Sequence, residues 1–164
     1  MRHAILGARG SIQDPEAALG KIREWGQTHH AEVLAMDARS VFGRDHLESA
    51  VTHAERAQAQ GAMGARTLAA ETLLYASGQR QIVDAIRVAG LRKGTETVAL
   101  IAWTADDPED LLKSLGWVRD DRVLDARGKS LEMLGVNELE RGTVPEEEAA
   151  DLALEKVALL DVLR

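Results

Sequence analysis

Glu71 asks most directly for a chemical explanation. It sits inside Leu68-Ala69-Ala70-Glu71-Thr72-Leu73-Leu74-Tyr75, an otherwise apolar run. A carboxylate buried in such a helix calls for a cationic partner, and Arg66 and Arg80 are the nearest in sequence. As a structural ion pair, Glu71 would fix the bend between two helices. As a positioning acid, it would aim an arginine at a ligand phosphate. The sequence favours the first role. The histidines offer less. His29 and His30 are adjacent, so their side chains diverge. His46 and His53 stand seven apart on one helix, about 10 Å along the axis, too far to share a metal. His46 beside Asp45 has the chemistry of a general base, but no nucleophile lies nearby. These histidines read as surface or cap residues, and neither a metal ligand nor a catalytic residue is assigned. Gly7-Ala8-Arg9-Gly10 matches neither the dinucleotide fingerprint nor the P-loop spacing and reads as a strand-to-helix turn. Asp106-Asp107 and Asp120-Asp121 read as solvated turn acids, and Glu146-Glu147-Glu148 as acids suited to the first turn of a helix.

These residues need elements to hold them. The expected strands are 3–7, 32–37 and 96–103, the last apolar enough to be buried on both faces. Helices are expected at 14–26, 44–60, 66–77, 79–89 and 108–115, with short helices over 128–141 and a long one over 145–163. Residues 117–124 read as a strand or an irregular edge. Asp14-Pro15 and Asp107-Pro108 fit an N-cap with proline at the first helical position, and Thr143-Val144-Pro145-Glu146 fits a capping box. The sum is one α/β (α+β) domain over 1–164: a small mixed sheet of three to five strands wrapped by about seven or eight helices. In the last helix, Leu152, Leu154, Val157, Leu159, Leu160, Val162 and Leu163 spread beyond the ~100° arc that one core face needs. That helix is either sandwiched in its own fold or meets a partner.

Composition narrows the function classes. The chain has 164 residues, no cysteine and a formal net charge of −7. Disulfides and thiolate chemistry are excluded. The apolar start is too short for a signal peptide, and no stretch approaches a membrane span, so a cytoplasmic protein is expected. The charge is uneven. Residues 1–100 carry a net +1 and 101–164 a net −8, while 61–93 hold five basic against two acidic residues. An acidic total is compatible with a local basic face, on which phosphate affinity depends.

The stretch Glu71-Thr72-Leu73-Leu74-Tyr75-Ala76-Ser77-Gly78-Gln79-Arg80-Gln81-Ile82-Val83-Asp84-Ala85 resembles the signature of the smallest archaeal subunit of KEOPS, the tRNA-modification complex. This family includes a human relative, the binding protein of the p53-related protein kinase. His46-Leu47 and Ala50 before the signature, and Thr97 to Ile101 after it, fit the same order of elements. The resemblance implies a non-enzymatic α/β subunit without cofactor or metal. It implies docking on the kinase-like ATPase subunit, indirect association with the other KEOPS subunits, and binding of the tRNA 3′ CCA end in support of threonylcarbamoyl-adenosine modification. An unpaired 3′ end is gripped by backbone charge and by stacking, which singles out Arg66, Tyr75, Arg80 and Gln81, with a place in the core as the alternative for Tyr75. The apolar end of the last helix singles out Leu159, Leu160 and Leu163 for the partner. Two other readings stay open: a pure protein adaptor that regulates the kinase subunit without RNA, and a small-molecule enzyme using Gly7–Gly10 and His46.

Overall fold

The computed structural model describes residues 2–130 and 149–163. Strand β1 (His3–Arg9) leads into helix α1 (Pro15–Thr28), strand β2 (Glu32–Asp37) and a 3-10 turn at Ala38–Ser40. Helices α2 (Arg44–Ala59), α3 (Leu68–Ser77) and α4 (Ile82–Ala89) follow, then strand β3 (Thr97–Trp103) and helix α5 (Glu109–Leu115). A two-residue strand β4 (Val118–Arg119), a 3-10 turn at Asp121–Leu124 and helix α6 (Ala149–Leu163) complete the described elements. The short helices expected over 128–141 fall, from 131 on, outside the described residues, as do positions 145–148 of the last helix.

The expected α/β class holds, with four strands among the described residues, in the order β2-β3-β1-β4. Every pair is antiparallel, in registers such as Ile5 with Ile101 and Leu34 with Ile101. The mixed sheet expected from sequence is therefore antiparallel throughout. The cause is topological. β1, α1 and β2 form a crossover that leaves one slot between two strands running the same way. β3 fills that slot in the opposite direction, a split β-α-β arrangement.

Alternation along the strands divides the core in two. Ile5, Leu34, Met36, Ala99, Ile101 and Trp103 face α2, α3, α4 and α6. Leu6, Ala8, Ala35, Val98, Leu100 and Ala102 face α1 and α5, where Ile22, Trp25, Leu111 and Leu112 cover them. β3 is thus buried on both faces, as its unbroken apolar run requires. The Gly7–Gly10 segment departs from expectation. β1 continues to Arg9, so most of the segment is strand rather than turn. Its glycines are there for close approach. A Cβ on Gly7 would lie 2.6 Å from Asp120 O, and one on Gly10 would lie 2.2 Å from the Trp117 ring.

Candidate functional surface

The signature stretch folds into two helices with opposite relations to solvent. In α3, Thr67 caps the N-terminus by accepting from Ala70 N at 3.1 Å. Eight of its ten residues are buried, including Glu71 and Tyr75. In α4 only Ala85 and Ala89 are buried. The larger apolar residues point outward, with Val83 73% and Ile86 53% exposed and Ile82 beside them. The structure turns the small alanine stripe inward instead, because α4 packs close to α3.

Glu71 departs from expectation in its donors. Neither Arg66 nor Arg80 pairs with it; its Oε2 accepts from Gly64 N at 2.9 Å and Ala65 N at 2.8 Å. The carboxylate folds the Gly61–Ala65 loop back onto α3. Two charge-assisted bonds to backbone amides are among the contacts that hold the carboxylate. Tyr75 likewise departs from its assignment as a stacking platform. It is 1% exposed, its hydroxyl donates to Asp161 Oδ1, and its ring leans on His53 with centroids 5.3 Å apart. A tyrosine in this position has no free face for a base.

Helix α6 packs on α2 and α3, placing Val157 and Leu160 in the main core and Ala153 in a smaller cluster with Phe42. Leu160, assigned to a partner from sequence, is 1% exposed and belongs to the core. Leu159 and Leu163 are exposed, with Val162 between them. The surplus of apolar residues over one core stripe is thus real, and it sits at the C-terminal end of the helix. Lys156 passes over the α3–α4 turn, where a Cβ on Gly78 would lie 3.7 Å from its Cβ. Further along, Arg80 Nη1 donates to Leu163 O at 3.3 Å. These contacts bring the end of α6 to the start of α4, where the other exposed apolar residues begin.

The basic excess of 61–93 is spread over this region. Arg66 is exposed and takes part in no hydrogen bond or ion pair among the described residues. Arg80 and Gln81 are exposed at the start of α4. Arg87 pairs with Asp84 at 3.2 Å, and Arg92 caps the end of α4 through Arg87 O at 2.8 Å. Two of the cations therefore serve α4 itself.

A cleft of about 330 Å³ opens between α2, α3 and α6, lined by His53, Arg56, Gln60, Tyr75 and Asp161 among others. His53 Nδ1 lies 2.6 Å from Asp161 Oδ2. Burial alone would raise the Asp161 pKa, but the hydrogen bonds from Tyr75 and His53 outweigh it and hold the carboxyl below its usual value. Sequence reasoning read His53 as a surface or cap histidine and passed over Asp161. A signal was available: an acid in the last turn of a helix opposes the helix dipole and so asks for a specific partner. Of the two readings of His46, surface or cap, the surface one fails. It is buried, its Nδ1 accepts from Phe42 N at 3.1 Å, and its Nε2 lies 2.9 Å from Ala76 O. The first bond leaves the proton on Nε2, which donates to Ala76. Burial pushes its pKa down to about 4. Its place on the stripe Leu47, Ala50, Ala54 and Ala57 was the legible sign.

Among the described residues, no group of three or more His, Asp or Glu could hold a metal ion, and no helix is long and apolar enough to cross a membrane. The profile of the family described as kinase binding protein CGI-121 matches residues 13–134. No curated protein matches the chain.

Proposed function

Since the chain belongs to the kinase binding protein CGI-121 family, we propose that it acts as a non-catalytic KEOPS subunit that docks on the kinase-like ATPase subunit and recruits tRNA by its 3′ CCA end. The observation that carries the docking half is the outward face of α4. A helix that buries two alanines and exposes Ile82, Val83 and Ile86 has spent its strongest apolar residues on something other than its own core. Exposed apolar clusters of this kind mark association sites. α4 lies inside the family match, whereas α6 lies outside it, so α4 is the primary dock and Leu159 and Leu163 extend it.

The RNA half rests on Arg66, just before the signature stretch, and on Arg80 and Gln81 within it, all three exposed. With Tyr75 buried, the grip is by charge rather than by stacking on that ring. This makes the adaptor without RNA a real competitor, favoured by the same burial. A gel shift of the pure protein with intact and CCA-trimmed tRNA separates the two. Preference for the intact 3′ end supports recruitment, and equal or absent binding supports the adaptor. Docking is tested by Ile86→Glu, read as loss of kinase-subunit binding with an unchanged melting temperature.

A further inference from the structure

Asp161 stands where helix physics would not put it. It lies in the final turns of α6, where the carbonyl ends carry partial negative charge and a basic residue is favoured, yet the last turn has no basic residue. Its carboxylate is committed to two other helices at once, accepting from His53 of α2 at 2.6 Å and from the hydroxyl of buried Tyr75 of α3. Among the described residues, the helix buries no further side chain beyond Leu160. Helix ends fray when packing does not hold them. Another contact at this end is the exposed bond from Arg80 to Leu163 O, at 3.3 Å.

We infer that Asp161 is the positioning residue of the docking surface, clasping the end of α6 to α2 and α3 so that Leu159 and Leu163 are presented beside α4. This inference rests on the docking reading above. Asp161 need not touch the partner, because it acts through the leucines on either side of it. Tyr75 gains a purpose in the same step: its buried hydroxyl needs an acceptor, and the acceptor it finds ties down α6. When the binding-competent arrangement is only fractionally populated, apparent affinity falls by that fraction. Releasing the clasp would then weaken docking without removing any contact residue.

The test uses the full chain and the cognate kinase subunit. Asp161→Ala should weaken binding about tenfold, leave the global melt nearly unchanged and raise amide exchange over 158–163 only. Asp161→Asn, which keeps an acceptor for Tyr75, should recover most of the affinity. Leu163→Glu is the control on the surface itself. If Leu163→Glu and Ile86→Glu both bind as the parent does, the docking reading fails. If they lose binding while Asp161→Ala keeps it, the positioning role alone is overturned. A large drop in melting temperature with exchange spreading into α2 and α3 also overturns it, because Asp161 would then be a general core support.

Discussion

Helices α3 and α4 are neighbours in sequence and in space, and they treat their apolar residues in opposite ways. α3 buries leucines, a tyrosine and even a glutamate, while α4 buries alanines and exposes isoleucines and a valine. The lesson concerns the signature that spans both. Its first half holds the fold together through Glu71, Leu74 and Tyr75. Its second half faces outward and is available for recognition. A single run of similar residues thus does two jobs, and substitutions in its halves should separate stability from binding.

The sharpest separation should come from Leu74→Ala. Leu74 is 1% exposed in the main core, and a truncation of this kind costs about 2–5 kcal/mol. Chemical denaturation should show that loss, while the folded fraction still binds the kinase subunit. A cost under about 1 kcal/mol would break the comparison.

The next effect is pH-dependent and belongs to the buried side. His46, which donates to Ala76 at the end of α3, has its pKa lowered from 6.5 to about 4 by burial. The unfolded chain therefore binds this proton more readily than the folded one. Stability contributed by the neutral ring is complete above pH ~6.5, falls as pH drops and is lost below ~4, with a total of about 3 kcal/mol. Denaturation curves between pH 7 and 4 should show this slope, and His46→Gln should flatten it. An unchanged slope in that variant would assign the acid sensitivity elsewhere.

On the outward side, Val83→Ala should change stability by less than about 0.5 kcal/mol, as exposed substitutions do. It should still weaken kinase-subunit binding measurably by calorimetry. A melt shift comparable to that of Leu74→Ala would show that α4 is core after all. The smallest effect is expected from Arg66→Glu. With no partner among the described residues, Arg66 can be replaced without a change in the melt. If it meets a phosphate, its loss lowers the slope of log affinity for tRNA against log salt by about one. An unaltered slope would remove Arg66 from the RNA surface.

Much of this molecule was legible before its structure. The apolar run within 96–103 read as a strand covered on both faces, and β3 (Thr97–Trp103) is one. Asp14-Pro15 marks the start of α1 as capping chemistry requires. The excess of apolar residues at the end of the last helix could be counted directly. Those features are local: periodicity, caps and composition act within a few residues, so the chain alone determines them. The tertiary structure decided what depends on neighbours distant in sequence. It chose which stripe of α4 turns inward, because the close approach to α3 admits alanines and excludes isoleucines. It joined His53, Tyr75 and Asp161, up to 108 positions apart, into one clasp. A contact between side chains on three helices leaves no trace in any one of them beyond an acid at the wrong end of a helix dipole.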